Sequence, residues 1–198
     1  MRGKLITVEG IDGSGKSTLC AGLSEHFADR LVALREPGGV GLSEQIRVLV
    51  KDPELEISAQ AEALLFAAAR AQLVSEKLRP LLDSGRSVLL DRFVDSSLAY
   101  QGAGRGLGIA AVQAINELAT AGLTPDLTLL IRVTPELAAQ RMSEDDRLER
   151  AGSDFFADVT QAYDRLAAAE SGRFVVLDGA LPKQEILAAA VKVVSGAL

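Results

Sequence analysis

Short apolar runs alternate with longer amphipathic segments along the chain. Residues 5–8 form an apolar run closed by Glu9 and Gly10, and an unbroken apolar run is typical of a strand buried on both faces. The pattern predicts strands at 5–8, 31–34, 87–90, 127–133 and 174–177. It predicts helices at 18–28, 42–50, 58–83, 109–121, 135–142, 154–169 and 182–194. This alternation predicts an α/β fold, with a five-stranded parallel sheet and helices on both faces.

Local signals support several of these boundaries. Ser58 is a good N-cap for the long Ala-rich helix, and Pro135 and Pro182 suit first helical positions because proline lacks an N–H. Gly85 and Gly122 suit helix C-terminal ends. No linker interrupts the pattern, so we expect one domain over residues 1–198. Residues 143–153 are charge-rich and without periodicity, and we expect them to form a mobile lid.

Composition narrows the class of protein. Hydrophobic residues make up 48% and charged residues 24% of the 198 residues, which excludes a disordered chain. One Cys and one His exclude an internal disulfide and a Cys/His zinc site, and we expect a cytoplasmic protein. A net charge of −6 argues against a nucleic-acid partner. We expect neither a signal peptide nor membrane binding, because a strand and a Gly-rich turn open the chain and no apolar stretch is long enough to span a bilayer.

The strongest chemical signal follows the first predicted strand. Residues 10–17 match G-x-x-x-x-G-K-[ST], the phosphate-binding loop. Glycines let backbone N–H groups point at a phosphate, and the next helix directs its positive dipole end at the same anion. Lys16 is expected to reach the β- and γ-phosphates and Ser17 to hold Mg²⁺. The predicted ATP-binding residues are Gly10, Ile11, Asp12, Gly13, Ser14, Gly15, Lys16, Ser17 and Thr18.

A second signal ends the third predicted strand. Asp91 is placed to hold the hydration shell of Mg²⁺, so Ser17 and Asp91 are the predicted metal residues. Arg92 supplies a planar fork suited to a phosphate. The alternative is a surface Asp-Arg pair at a strand end.

Weaker signals lie in three further segments. Residues 35–39 place an Arg and a Glu on a stiff Pro-Gly-Gly turn after the second strand, which is also common turn punctuation. Phe66 and Arg70 share a helix face and could contact a nucleobase, but taken alone this segment is better explained by a core Phe with a solvent-directed Arg. Residues 96–102 offer hydroxyls, a phenol and an amide, or simply a helix ending in a glycine loop.

A guanine-nucleotide switch is disfavoured. Such proteins read their base with an Asn-Lys-x-Asp box, and the only Asn of this chain, Asn116, is followed by Glu117. A non-catalytic nucleotide-binding scaffold stays open at this point, as does the identity of any phosphate acceptor.

Together, these segments in this order resemble the thymidylate kinase family, from Glu9 to about Tyr163. The resemblance implies transfer of the γ-phosphoryl group of ATP to dTMP, giving ADP and dTDP for dTTP synthesis, with Mg²⁺ as cofactor and a homodimer as the assembly. It implies Lys16, Asp12 and Arg92 as catalytic residues, with Arg92 on the acceptor phosphate. The implied dTMP-binding residues are Asp12, Glu36, Pro37, Arg47, Phe66, Arg70, Arg92, Ser97, Tyr100 and Gln101.

One detail assigns a branch of the family. One branch carries an Arg in the phosphate-binding loop, at the position of Gly13, and the other carries catalytic arginines in the lid. The lid here contains Arg147 and Arg150, with Arg141 just before it, so the chain resembles the lid-arginine type. A solvated charge run is the alternative reading. Ala69 departs from the Asp that often precedes the base-binding Arg, which is expected to affect thymine affinity or specificity.

Overall fold

The computed structural model describes residues 2–141 and 152–198. A five-stranded sheet runs through the chain in the order β2-β3-β1-β4-β5, and each neighbouring pair is parallel. The strands are β1 (Leu5–Glu9), β2 (Leu31–Arg35), β3 (Ser87–Asp91), β4 (Leu127–Arg132) and β5 (Phe174–Asp178). The predicted parallel sheet is confirmed, with strand ends within two residues of the predicted ones.

Helices cover both faces of the sheet, as predicted. Their bounds are α1 (Lys16–His26), α2 (Gly41–Lys51), α3 (Ala59–Leu73), α4 (Arg79–Asp83), α5 (Val94–Ser97), α6 (Ile109–Thr120), α7 (Pro135–Ala139), α8 (Ser153–Ala169) and α9 (Lys183–Ala197). Alternate residues of β1 point to opposite faces: Ile6 and Val8 pack with α1 and α9, and Leu5 packs with the helical segment around Leu78.

The long predicted helix at 58–83 is three joined segments. Ser58 caps it as expected, its Oγ accepting a hydrogen bond from the Ala61 N–H at 3.3 Å. A π-helical stretch, Val74–Leu78, separates α3 from α4. The break lies just before Pro80, which has no N–H to donate to the preceding turn.

One helical region was left open by the sequence, which allowed a helix ending in a glycine loop at 96–102. After β3 the chain forms α5 and then a second π-helical stretch, Leu98–Gly104. Residues 94–104 contain two Ser and two Gly, which have low helix propensity, and packing of the second stretch against α8 and α6 favours the helical conformation. This region carries several of the predicted acceptor residues.

Candidate active site

The loop between β1 and α1 has the geometry of a phosphate cradle. Gly15, with φ +98°, lies at the N-cap of α1, and a Cβ on it would meet no protein atom within 4 Å. The positive φ requires glycine, and the free space in front of it is open to an anion at the helix N-terminus. The predicted phosphate-binding loop therefore has the backbone conformation that its sequence motif requires.

Lys16 is the buried cation of this loop. Its side chain is 6% exposed, and Nζ donates to the Ile11 carbonyl at 2.8 Å. Burial, with the positive charge of Arg92, lowers the pKa of Lys16 to about 8 against the pull of Asp12, Asp91 and Glu9. The buried ammonium is held in place by the Ile11 carbonyl, which gives the loop a preorganised cation for a polyphosphate.

Ser17 and Asp91 meet beside the cradle. The Ser17 hydroxyl donates to Asp91 Oδ2 at 3.2 Å, and Asp91 Oδ1 is buried without a hydrogen-bond partner among the described residues. An unsatisfied buried carboxylate oxygen next to a hydroxyl is the donor set that a hydrated Mg²⁺ prefers. These two residues therefore fit the metal that the sequence implied for them.

Arg92 joins the two sides of the cleft. It adopts φ +68° directly after β3, held by its own N–H on the Val8 carbonyl at 3.0 Å. Its guanidinium donates to Asp12 Oδ1 at 2.5 Å and to the Gly10 carbonyl at 3.1 Å. The Tyr100 hydroxyl donates to the other Asp12 oxygen at 2.8 Å. Burial raises the pKa of Asp12, but the positive charges of Arg92 and Lys16 outweigh it and lower that pKa to about 2.

A buried carboxylate that the sequence analysis did not select supports this turn. Glu9, at the end of β1, accepts hydrogen bonds from the Phe93 N–H at 2.7 Å, the Ser96 hydroxyl at 2.6 Å and the Tyr163 hydroxyl at 2.9 Å. Burial, with the negative charge of Asp95, raises the pKa of Glu9 to about 7. A charged residue ending an otherwise apolar strand was the signal that could have found it.

One side of the cleft is built on α3. Phe66 and Arg70 both line the cavity, so the shared helix face predicted for them is confirmed. Arg70 is 1% exposed, and its N–H groups point at protein acceptors: Glu36 Oε2 at 2.8 Å, Ser97 Oγ at 2.9 Å, the Phe93 carbonyl at 2.9 Å, and Asn116 Oδ1. The guanidinium is thus oriented before any base enters.

Ala69 faces away from this site. Its side chain is 1% exposed and packs with Ile46 and Val50 between α2 and α3. An acid there would enter an apolar cluster of this chain. Glu36 and Asn116 orient Arg70 in this chain, and the expected effect of Ala69 on thymine affinity or specificity stays a prediction.

The turn after β2 approaches from the opposite side. Glu44 accepts the Gly39 N–H at 2.8 Å and pairs with Arg35 at 3.1 Å, which braces the turn. Arg47 donates to the Pro37 carbonyl at 3.0 Å, so its guanidinium lies at the cleft beside Pro37. The 35–39 segment therefore borders a site and is more than turn punctuation.

One cavity of about 480 Å³ unites these parts. Its walls include residues from the phosphate-binding loop, the turn after β2, α3 and the region after β3, together with Arg141 at the far end. Predicted site residues that line it are Asp12, Gly13, Gly15, Lys16, Ser17, Thr18, Glu36, Pro37, Arg47, Phe66, Arg70, Asp91, Arg92, Ser97, Tyr100 and Gln101. Gly10, Ile11 and Ser14 complete the loop beneath it.

Comparison with known proteins agrees with this geometry. The family model described as thymidylate kinase matches residues 8–190. The thymidylate kinase of Thermoanaerobacter sp. (strain X514) is 47% identical over 184 residues, covering 90% of this chain and 91% of that protein. The thymidylate kinase of Deinococcus radiodurans is 46% identical over 191 residues, covering 93% of each. The chain belongs to the thymidylate kinase family.

A solved structure of the family has the same fold. The crystal structure of thymidylate kinase from Ehrlichia chaffeensis superposes with a TM-score of 0.82 at 29% identity, covering 98% of this chain and all of that one. The resemblance in sequence is therefore matched by the three-dimensional arrangement of the P-loop fold.

Gly13 lies where the phosphate-binding loop packs closely against α7. A Cβ at Gly13, which has φ +75°, would lie 2.3 Å from the Ala138 carbonyl oxygen of α7. The loop thus has no room for the arginine that one branch carries there. Arg147 and Arg150, the predicted lid arginines, lie outside the described residues, as does most of the predicted lid.

Sequence reasoning missed the supporting partners of the site. Glu62, Asn116 and Tyr163 are buried polar residues on helices, each hydrogen-bonded to a residue that lines the cavity. Their contacts span 39 to 67 positions along the chain, so no local motif connects them. The available signal was a polar residue at a helix position that the hydrophobic periodicity predicts to be buried.

Proposed function

We propose that the chain transfers the γ-phosphoryl group of ATP to the 5′-phosphate of dTMP, giving ADP and dTDP. The observation that carries this proposal is the continuity of one cavity from the phosphate cradle at Lys16 to the base-facing pair of Phe66 and Arg70. A switch or scaffold needs only the first of these regions. A phosphotransferase needs both, with the two phosphates meeting between them.

On the donor side, the backbone of residues 10–17 receives the ATP phosphates. Lys16 Nζ leaves the Ile11 carbonyl and binds the β- and γ-phosphates. The negative charge of these phosphates raises the pKa of Lys16. Ser17 and Asp91 are the residues that would hold Mg²⁺. When bound, Mg²⁺ offsets the charge of the phosphates and helps to orient them.

On the acceptor side, thymine lies against Phe66 and the 5′-phosphate lies near Arg92 and Arg47. The thymine carbonyl shares an N–H of Arg70, whose orientation Glu36 and Asn116 already hold. Asp12 keeps the Arg92 guanidinium facing the cleft.

The chemical step needs no strong base. The second pKa of a phosphate monoester is about 6, so the acceptor phosphate is largely a dianion at neutral pH. One of its oxygens bonds to the γ-phosphorus while the bond from that phosphorus to the β–γ bridging oxygen breaks, leaving ADP. The protein supplies position and positive charge, from Lys16, Arg92 and the lid arginines.

Arg147 and Arg150 remain our proposal for the charge on the migrating group. The close packing at Gly13 supports this proposal, because the loop has no room for an arginine side chain at that position. We also propose that 143–153 closes as a lid on a single catalytic unit spanning 1–198. Arg147→Ala is expected to lower kcat by about 10³-fold with little change in the KM for dTMP. An unchanged kcat would assign the role to Arg150 or Arg141.

An acceptor panel tests the reaction itself. ADP formation is measured with ATP, Mg²⁺ and one of dTMP, dUMP, dCMP, dGMP or thymidine, under one set of conditions. We expect the highest kcat/KM with dTMP and none of this turnover in Lys16→Ala. A higher kcat/KM for another acceptor would support phosphotransfer but identify that acceptor, and not dTMP, as the substrate. ATP consumption that ignores every acceptor would refute the proposal.

The partner is proposed to be a second copy of this chain. Three neighbouring helices carry exposed apolar side chains: Val48 on α2 is 69% exposed, Leu64 on α3 57% and Leu118 on α6 86%. The helices are neighbours because α3 packs against both α2 and α6. Unpaired apolar surface of this kind favours burial against a partner. Light scattering should give a dimer mass for the wild type and a monomer mass for a variant carrying Leu64→Glu and Leu118→Glu. A wild-type monomer would contradict the proposal.

A cytoplasmic location is likewise proposed, from the single cysteine and the need for ATP. Among the described residues, no helix combines the length and apolarity that crossing a bilayer requires.

A further inference from the structure

Gln101 lines the cleft with a side-chain amide whose two ends have different tasks. It is 2% exposed, in the π-helical stretch after β3. Its Nε2 donates to Glu62 Oε1 at 2.8 Å. Gln101 lines the cavity, and among the described residues no hydrogen bond to its Oε1 is found. The oxygen end of the amide is therefore the end left for a ligand.

Glu62 decides which end of the amide that is. A carboxylate has only acceptors, so the NH₂ end of Gln101 has to face it. Glu62 is itself 0% exposed, at the first turn of α3, and cannot turn away to solvent. Reversing the Gln101 amide would set its oxygen against a Glu62 oxygen, a contact between two acceptors, and would turn the NH₂ group away from the carboxylate to which it now donates.

Arg105 holds Glu62 from a second side. Its Nε and NH2 donate to the two Glu62 oxygens at 3.2 Å each. The Arg105 guanidinium also lies over the Phe155 ring, 4.6 Å from its centre, which fixes it against α8. The carboxylate is thus clamped between a guanidinium and the Gln101 amide.

We infer that Glu62, clamped by Arg105, is a specificity-determining positioning residue that presents Gln101 Oε1 to the N3–H of the acceptor base. This inference rests on the proposed function. Thymine and uracil carry a hydrogen on N3, whereas cytosine has an unprotonated N3 acceptor. A carbonyl oxygen fixed at this position pairs with the first two bases and repels the third, as expected of a site that reads a polar group with a buried partner.

The test is a set of steady-state measurements on Glu62→Gln, which preserves shape and lets the Gln101 amide adopt either orientation. The kcat/KM ratio of dTMP to dCMP should fall about tenfold or more. The ratio of dTMP to dUMP should stay constant, since both bases carry N3–H. The KM for ATP should not change. Glu76→Gln, which removes the same charge from an exposed position of the helical segment after α3, serves as the control.

A double-mutant cycle separates positioning from a general structural effect. In a Gln101→Leu background, Glu62→Gln should change the dTMP to dCMP ratio by less than about twofold, because the group it acts through is gone. Equal effects of Glu62→Gln in the two backgrounds would overturn the inference, as would an unchanged ratio in the single variant.

Glu62→Asp provides a second variant if Glu62→Gln does not fold. It keeps the charge and the ion pair with Arg105, but retracts the carboxylate from Gln101 Nε2. The same loss of discrimination is expected, and wild-type discrimination would count against the inference. Failure of the proposed function is distinguishable, because wild-type protein would then show no turnover of dTMP.

Discussion

The Arg92 guanidinium is paired with the Asp12 carboxylate across the floor of the cleft, and so ties the end of β3 to the phosphate-binding loop. The pair is partly exposed, with side chains 16% and 24% accessible. It faces the region between the donor cradle and the base-facing wall. An incoming phosphate meets an arginine whose direction is already set, which lowers the reorganisation needed at the transition state.

Arg92→Lys should lower kcat/KM for dTMP by about 10²-fold or more, because an ammonium cannot serve Asp12 and a phosphate in the fork geometry of a guanidinium. Arg86→Lys, at an exposed position before β3, is the matched control. Steady-state kinetics with both substrates varied provides the measurement. Wild-type activity in Arg92→Lys would remove this residue from the chemistry.

Lys16→Met should abolish turnover and at the same time stabilise the free protein. Burial lowers the pKa of Lys16 from 10.5 to about 8, so the folded state holds the charged form at a cost at every pH below about 8. The variant should gain roughly 1–3 kcal/mol of unfolding free energy at pH 7. Urea unfolding without nucleotide measures this gain, and a clear loss of stability would contradict the account of Lys16 as a strained cation.

The lowered pKa of Lys16 also predicts how the stability of the wild-type protein depends on pH. Between about 8 and 10.5 the unfolded state binds more protons at this lysine than the folded state, so its contribution to stability rises with pH in that window. Lys16→Met should lack this contribution.

Asp91→Asn should raise the Mg²⁺ concentration for half-maximal activity by about tenfold, since removing a group that orients a metal and its waters costs affinity of that order. The buried, unpartnered Oδ1 of Asp91 motivates this expectation. A Mg²⁺ titration at saturating ATP and dTMP gives the value. Asp83→Asn, exposed on α4, should leave the titration unchanged. Identical curves for Asp91→Asn and wild type would rule out a metal role.

Phe66→Ala should raise the KM for dTMP by about tenfold or more and leave the KM for ATP unchanged, because a base loses about 1–3 kcal/mol when its stacking ring is removed. Gln60→Ala, exposed on the same helix, controls for helix propensity. An increase in the KM for ATP equal to that for dTMP would place Phe66 outside the acceptor site.

Glu9→Gln should change how stability depends on pH. Burial raises the pKa of Glu9 from 4.5 to about 7, so its favourable contribution is complete below about 4.5 and is lost as pH rises through 7. The variant should therefore gain stability relative to wild type between pH 5 and pH 8.5, by roughly 2–3 kcal/mol. Urea unfolding at these pH values gives the difference, and a difference that is independent of pH would exclude titration of Glu9.

Local patterns were sufficient where the physics is local. The phosphate-binding loop is contiguous, and its glycines and lysine act within one strand-turn-helix unit, so the sequence predicted it residue by residue. Phe66 and Arg70 were predicted to share a face because helix geometry alone sets that relation. The effect of Ala69 on thymine affinity or specificity stays a prediction, and only the structure showed that Ala69 packs with Ile46 and Val50 while Arg70 lines the cavity.

By itself, the amino-acid sequence determined the parallel sheet, the order of its strands and helices along the chain, and the family. These follow from periodicity and from motifs whose parts lie within a few residues of one another. Only the tertiary structure decided that Glu9 braces the turn of Arg92, that Asn116 and Glu36 hold Arg70, and that Glu62 sets the direction of Gln101. Each of these pairs is distant in sequence, and burial forces its polar atoms to find partners that only the folded chain brings within hydrogen-bonding distance.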